Sequence, residues 1–146
     1  MSNQENINLV RKVYEIFNQN NTNNLNVFDD VLAHNLQYHD AAVPNAKSGP
    51  ASFKQAESNY IKAFPNKKIV IDDIFGTEDR VVVRWTATAT NKGEFNGIAP
   101  SNREVKTSGI AIYQISKGKI VEIWQVWDRQ GLLEQIEKKQ YAHASH

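Results

Sequence analysis

Apolar residues in the first half of the chain recur at intervals of three and four, the spacing of one face of an α-helix. The repeating positions are Leu9, Val10, Val13, Tyr14, Ile16 and Phe17 in residues 5–18, then Phe53, Ala56, Tyr60, Ile61 and Phe64. Pro50 suits a first helical turn, and Pro65 ends the second stripe. The spacing therefore predicts two amphipathic helices, each buried along one side. A shorter helix over 25–32 and a brief strand over 36–39 are expected between them.

Beyond Pro65 the pattern changes to segments rich in Val, Ile, Thr and aromatic residues, separated by turn-forming sequences. These segments are 69–75, 80–91, 104–116 and 119–127, and they predict an antiparallel meander. A last helix over 130–139 and a flexible tail over 141–146 are expected to follow. Helices first and long antiparallel strands afterwards are typical of an α+β domain with helices against one sheet face. We therefore expect a single α+β domain over residues 1–140.

Two of the predicted strands distribute their apolar residues differently. In 80–91, Val81, Val83 and Trp85 share one face, which is more apolar than the other and is therefore the predicted core face. In 119–127 both faces are apolar: Ile120, Trp124 and Val126 fall on one, and Val121, Ile123 and Trp127 on the other. The second set is expected on the side away from the pocket and the helices, where a monomer would expose it. The pattern thus predicts a homodimer formed through the sheet.

Composition removes several classes of function. The chain has no cysteine, which excludes disulfides and thiolate chemistry. Lys and Arg number 17 against 16 for Asp and Glu, and the basic pairs lie far apart, so nucleic acid is not an expected partner. The N-terminus is polar and no stretch nears the length of a membrane span, so we expect no membrane partner and a cytoplasmic location. The histidines, His34, His39, His143 and His146, form no ligand motif, and no metal is expected.

Several segments resemble the SnoaL-like polyketide cyclases of the nuclear transport factor two-like superfamily. They are residues 84–90, 93–100 and 118–128, together with Tyr38-His39-Asp40, Ala63-Phe64-Pro65, Gly131-Leu132-Leu133 and Gln135. The resemblance implies a cone-shaped fold, in which a curved, mainly antiparallel sheet wraps around N-terminal helices and a short C-terminal helix follows. It also implies an apolar pocket in the mouth of the cone and dimerisation through the sheet. Asn91 stands where histidine would be expected, and Ser101-Asn102 where Thr-Gly would be expected.

The resemblance also implies a catalytic group. In the pattern Glu122-x-Trp124-x-x-x-Asp128, the aspartate would be the acid/base of an intramolecular aldol ring closure that needs no metal or organic cofactor. A carboxyl group in an apolar pocket is a stronger base than a solvated one, and Trp124, on the same nominal face as Asp128, would supply such a wall. The alternative is that Asp128 caps the helix that begins near Arg129.

Other candidates lie elsewhere in the chain. His39 follows a strand and precedes a loop, where it would bind a substrate carbonyl or share a proton; alternatively it is a strand residue bonded to backbone. Tyr14, Phe64 and Trp85 are expected to line the pocket together with Trp124.

Two functions from different classes remain open. The first is a small cofactor-independent cyclase or isomerase-like enzyme acting on an apolar carbonyl compound. The second is a non-catalytic protein that binds a small apolar molecule in the same pocket. A hydrolase on this scaffold would need an acid, a base and a positioned water, and the sequence does not supply that set.

Overall fold

The structure, a computed structural model, describes residues 2–43, 45 and 47–137. Its helices are α1 (Asn3–Phe17), a 3₁₀ helix (Leu25–Asp30), α2 (Pro50–Ala63) and α3 (Arg129–Glu137). A capping box starts α1: the Ser2 hydroxyl accepts from the Glu5 N–H, and the Glu5 carboxylate accepts from the Ser2 N–H. None of the described helices is long and apolar enough to cross a membrane. The predicted tail, 141–146, and the end of the last predicted helix lie outside the described residues.

Five strands form one sheet in the order β1-β5-β4-β3-β2. They are β1 (Leu32–Asp40), β2 (Lys68–Gly76), β3 (Arg80–Thr90), β4 (Glu104–Ser116) and β5 (Lys119–Trp127). The predicted antiparallel meander is confirmed as β2 to β5. The sequence did not indicate that β1 would add to the meander in parallel with β5. β1 is also longer than predicted, because Leu32 already pairs with Ile120. The α+β class and the curved, mainly antiparallel sheet are confirmed.

The core lies between α1 and the inner face of the sheet. Val10 and Val13 of α1 and Val81 and Val83 of β3 are completely buried, and Trp85 is nearly so. These are the residues that the helical and strand periodicities assigned to the interior. Burial of each such side chain stabilises the fold by about 1.5–3 kcal/mol relative to exposure.

A β-bulge in β5 changes the face to which its residues belong. Ile120 pairs with Ile115 of β4, and Glu122 pairs with the adjacent Gln114, so Val121 is an additional residue in this strand. The bulge separates Ile120, which is completely buried, from the outward-facing positions two residues further along.

The predicted grouping of the β5 side chains is therefore wrong. Ile123 and Trp127 face the interior and are covered by the protein's own helices and loops, whereas Trp124 and Val126 lie on the outer face. Strict alternation along the strand does not anticipate this, because the extra residue at Val121 shifts the parity.

The connection between β3 and β4 is held by the side chain of Asn91. This residue is completely buried; its Nδ2 donates to the Gly93 carbonyl at 2.9 Å, and its Oδ1 accepts from the Ser101 N–H at 2.8 Å. The residue at the position where the resemblance led us to expect histidine thus satisfies loop backbone groups.

Candidate functional site

A pocket opens between the inner face of the sheet and helices α1 and α2. Its empty volume is about 970 Å³, a figure that includes solvent space at its mouth. The larger apolar and aromatic residues of its wall are Tyr14, Phe17, Tyr38, Phe53, Tyr60, Phe64, Ile69, Trp85, Val105, Tyr113, Ile123, Trp127 and Leu132. Such a wall favours an apolar ligand.

Small residues on the inner face of the sheet create this space. Ala87 and Ala89 of β3 belong to the wall. Gly109 of β4 pairs with Trp85 on one side and Trp127 on the other. A side chain at Gly109 would collide with both tryptophans. Glycine at this position therefore leaves room for the Trp85 ring and the base of the Trp127 side chain in the pocket wall.

The structure places Tyr14, Phe64 and Trp85 in the wall of the pocket. Each comes from a different element or its end: α1, the residue after α2, and β3. All three are buried. Their placement agrees with the expected lining, and their contact with a substrate stays a prediction.

The pocket also contains a buried carboxylate, that of Asp40 at the end of β1. Only 7% of Asp40 is exposed. The Trp127 Nε1–H donates to both of its oxygens, at 3.1 and 2.9 Å, and the Tyr38 hydroxyl donates to Oδ2 at 3.3 Å. The Ala42 N–H donates to Oδ1 at 2.8 Å. Three donors thus fix the orientation of an acidic group in a largely apolar wall.

Sequence reasoning selected His39 and passed over Asp40, although a signal was present. Leu36, Tyr38 and Asp40 alternate along β1, and Leu36 is a buried apolar residue. Residues two apart on a strand share a face, so the apolar partners place Asp40 on the interior side. The same alternation places His39 on the opposite face.

His39 and Trp124 lie together on the outer face of the sheet, outside the pocket wall. Their rings stack with centroids 5.8 Å apart. The His39 Nε2 lies 2.7 Å from a carboxylate oxygen of Glu122, and the His39 side chain is 47% exposed. The expectation that Trp124 walls the pocket is therefore wrong, because β5 turns this side chain outward. The structure does not bring His39 or Trp124 near the pocket carboxylate.

Asp128 occupies the cap position before α3. Its Oδ1 accepts from the Gly131 N–H at 2.9 Å, and the residue is exposed. A carboxylate that accepts from a backbone N–H in the first turn of a helix is a helix cap. This geometry is the one expected from the alternative interpretation, in which Asp128 caps the helix. Asp128 does not belong to the pocket wall, so the apolar surroundings expected for it are absent from its position.

A second polar feature of the pocket wall is the ion pair of Glu57 and Lys67. The Lys67 Nζ donates to Glu57 Oε2 at 2.8 Å and to the carbonyl of Phe17 at 2.6 Å. Both side chains are buried. Burial raises the pKa of Glu57 to about 7, although the Lys67 ammonium acts in the opposite direction. The sequence did not indicate this pair, which places one acidic and one basic group on the helical side of the pocket.

No group of three or more His, Asp or Glu side chains within the described residues is arranged to hold a metal ion. His143 and His146 lie outside the described residues. The acid and base chemistry available in the pocket therefore comes from Asp40, the Glu57–Lys67 pair and several tyrosine hydroxyls.

A curved sheet closed by helices around a largely apolar pocket, with the buried carboxylates of Asp40 and Glu57 in its wall, defines the cone-shaped α+β class of protein. The family model of the SnoaL-like polyketide cyclases matches residues 8–136, and the chain belongs to that family. No curated protein gave a sequence match.

Solved structures share this fold across almost the whole chain. A protein from Jannaschia sp. CCS1, provisionally described as a SnoaL-like polyketide cyclase, is 16% identical, with 94% of each chain covered and a TM-score of 0.83. AclR from Streptomyces galilaeus, provisionally described as a hydroxylase, is 26% identical, with 99% of this chain and 91% of that chain covered and a TM-score of 0.82. IdmH from Streptomyces antibioticus, provisionally described as a polyketide cyclase, is 22% identical, with 90% and 97% covered and a TM-score of 0.76.

Proposed function

We propose that the protein is a cofactor-independent cyclase that binds an apolar carbonyl compound in the pocket and uses Asp40 as its acid/base. The observation that carries this proposal is the buried Asp40 carboxylate, aimed at an apolar wall by Trp127 and Tyr38. Membership of the SnoaL-like polyketide cyclase family supports the reaction class. The differing descriptions of AclR and IdmH show that the fold alone does not select the reaction.

Asp40 replaces Asp128 in this proposal because of where the two carboxylates lie. A general base must reach the proton that it removes, and Asp40 belongs to the wall of the apolar pocket. Asp128 is exposed and engaged with the N-terminus of α3. A carboxylate in that position is hydrated and reaches a proton in the pocket poorly.

The ring closure requires two proton transfers, which one carboxyl group performs in turn. The Asp40 carboxylate removes a proton from the carbon beside a carbonyl, and the electron pair of the broken C–H bond forms an enolate. The enolate carbon then attacks a second carbonyl in the same molecule, and the new C–C bond leaves an alkoxide. Asp40 returns its proton to that alkoxide, so the reaction is an isomerisation in which no atom is lost.

The first proton transfer is measurable with a simple aromatic ketone, 2-acetylnaphthalene. In D₂O, the methyl hydrogens beside its carbonyl exchange for deuterium only when a base removes them, and NMR follows the loss of the methyl signal. We expect the wild-type protein to accelerate this exchange. Asp40→Asn should lower the rate by roughly 10²- to 10⁴-fold while the ketone still binds, because asparagine keeps the shape of the side chain without its basicity.

Asp128→Asn is the matched control, since asparagine caps a helix about as well as aspartate. This variant should exchange the methyl hydrogens at the wild-type rate. Normal exchange by Asp40→Asn together with its loss in Asp128→Asn would return the catalytic role to Asp128 and contradict the proposal.

The second candidate function is a non-catalytic carrier of the same apolar ligand. One observation favours it: the Trp127, Tyr38 and Ala42 donors that orient Asp40 are also what a purely structural buried carboxylate needs. Tight binding of 2-acetylnaphthalene by the wild type without any acceleration of exchange would favour the carrier.

A further inference from the structure

Two tyrosine hydroxyls meet inside the pocket, at a place that the proton transfers above do not use. Tyr14 of α1 and Tyr113 of β4 are 4% and 3% exposed, and both belong to the pocket wall. Their hydroxyl oxygens lie 2.7 Å apart, and either can donate to the other. The rings meet edge to face with centroids 6.3 Å apart.

Two hydroxyl hydrogens are present in this pair, and only one of them is donated in the hydrogen bond between the two tyrosines. Burial raises the pKa of both tyrosines above the ordinary value, so both hydroxyls stay protonated and neutral. Two O–H groups that share one hydrogen bond leave one hydrogen without an acceptor, and within the described residues the only partner of either hydroxyl is the other. A buried donor without an acceptor is unfavourable, and a ligand oxygen in the pocket would satisfy it.

We propose that the Tyr14–Tyr113 hydroxyl pair is a binding subsite for one oxygen atom of the ligand, a carbonyl oxygen that becomes an enolate oxygen during the reaction. The assignment of an enolate oxygen to this subsite rests on the proposed function. The binding of a carbonyl oxygen there rests only on the geometry of the pocket. A hydroxyl that already accepts a hydrogen bond is a stronger donor, since hydrogen bonds in a chain polarise one another.

The sheet register places Tyr113 on the same inner face as Asp40, two strands and one row away. Tyr113 is the partner of Ile123, which is the partner of Tyr38, so these three form one row across the inner face. Gln125 and Asp40 form the next inward-facing row. Neighbouring strands lie about 4.8 Å apart and rows of one face about 7 Å apart, so a small molecule can span from the hydroxyl pair to the carboxylate.

The two groups would act on the same carbonyl unit of the ligand. Asp40 takes the proton from the carbon beside the carbonyl, and the electron pair moves through the new C=C bond onto the oxygen. The hydroxyl pair donates a hydrogen bond to that oxygen throughout and loses no proton. The negative charge of the enolate oxygen therefore develops next to a hydrogen-bond donor that is already in position.

The test compares two probes of the same shape. One is 2-acetylnaphthalene, and the other is 2-isopropenylnaphthalene, in which a CH₂ group replaces the carbonyl oxygen. We expect the wild type to bind the ketone roughly 3- to 10-fold more tightly than the alkene, the contribution of one neutral hydrogen bond. In the double variant Tyr14→Phe with Tyr113→Phe this preference should disappear while the affinity for the alkene is retained.

Infrared spectroscopy gives a readout that a packing role would not change. The C=O stretching band of the bound ketone should lie at lower frequency in the wild type than in the double variant. Should the double variant not fold, each single variant keeps one hydroxyl, and at least one of them should lower the ketone preference. These binding measurements need no turnover, so they can succeed even where the exchange assay with Asp40 fails.

Tyr60→Phe is the comparison variant, because Tyr60 brings another hydroxyl to the same pocket without belonging to the pair. Loss of the ketone preference in Tyr60→Phe alone would assign the contact to Tyr60 and overturn the proposal. Equal affinity of the wild type for the two probes, failure to bind the ketone, or an unchanged preference in the double variant would overturn it as well.

Discussion

Trp127 has two functions at the level of single residues, since its ring forms part of the pocket wall and its Nε1–H holds Asp40. The nitrogen lies 3.1 and 2.9 Å from the two carboxylate oxygens. A hydrogen bond to a charged group contributes about 1.5–3 kcal/mol. The indole is therefore a positioning group for the proposed acid/base, and its effect should appear in the rate more than in binding.

Replacing this indole separates orientation from packing. Trp127→Phe keeps an aromatic ring in the wall and removes the donor, so we expect the deuterium exchange of 2-acetylnaphthalene to slow by roughly 10- to 100-fold. Its dissociation constant, measured by fluorescence titration, should change much less. Trp124→Phe, on the outer face, is the control and should leave both quantities unchanged. Equal effects of the two variants on the rate would contradict the role given to Trp127.

At this scale the sequence predicted only part of the candidate site. Tyr14, Phe64 and Trp85 were identified because periodicity and the family resemblance both placed them inside. Asp40 was missed although Leu36 and Tyr38 share its face, because the neighbouring His39, beside a loop, was chosen as the catalytic candidate. The bond from Trp127 to Asp40 joins residues 87 apart in sequence, and no local pattern contains such a contact.

At the level of secondary-structure elements, the Glu57–Lys67 ion pair links helices α1 and α2 to the start of strand β2. Glu57 lies on α2, Lys67 immediately precedes β2, and Lys67 also donates to Phe17 at the end of α1. A buried ion pair of this kind costs desolvation, and burial raises the pKa of Glu57 from 4.5 to about 7.

This pKa shift makes stability depend on pH. Between about 4.5 and about 7 the folded protein holds the Glu57 proton and the unfolded chain releases it, so the free energy of unfolding should fall as the pH rises through this window. The total change from this group is at most about 3 kcal/mol. Urea denaturation at a series of pH values measures it.

Glu57→Gln should remove this part of the pH dependence, because glutamine does not titrate. Glu15→Gln, on the exposed side of α1, should retain it. If the free energy of unfolding of the wild type and of Glu57→Gln changed with pH in parallel, the buried carboxyl would not be the titrating group.

The bulge in β5 shows what periodicity can and cannot predict about an element. The segments predicted over 69–75, 80–91, 104–116 and 119–127 all form strands, since β-branched and aromatic residues between turn sequences favour them. One extra residue at Val121 exchanged the faces of everything that follows. A bulge depends on pairing with β4, and the sequence of β5 alone does not contain that information.

For the whole molecule, the outer face of the sheet remains the proposed homodimer interface, with different residues from those predicted. Ile123 and Trp127 are turned inward, whereas Val126 is 61% and its cross-strand partner Ile110 49% exposed. Trp124 and its partner Ile112 continue this apolar strip across β4 and β5. A second copy of the chain, laid sheet against sheet, would cover it.

Light scattering at micromolar concentration tests this assembly, and we expect the mass of a dimer. Val126→Lys should produce a monomer, since it places a charge in the middle of the strip. Gln55→Lys is the control: it adds the same charge on the exposed side of α2, which packs against the other face of the sheet, and should leave the dimer intact. A monomeric wild type would rule out the predicted interface.

The pocket itself is a property of the whole molecule. Tyr14 and Tyr113 are 99 residues apart in sequence and share a hydrogen bond in its wall. The family resemblance predicted that a pocket would exist, and the periodicities predicted most of the elements around it. The polar groups inside it depend on strand register and on the bulge, which single-sequence patterns do not determine.

We infer that the space between the helices and the inner face of the sheet is the functional site. A crystal structure of the protein with 2-acetylnaphthalene tests this most directly. We expect the naphthalene ring in the pocket, the carbonyl oxygen within hydrogen-bond distance of a Tyr14 or Tyr113 hydroxyl, and the methyl carbon facing Asp40. Ketone bound on the outer face against His39 and Trp124, or beside Asp128, with the pocket unoccupied, would contradict it.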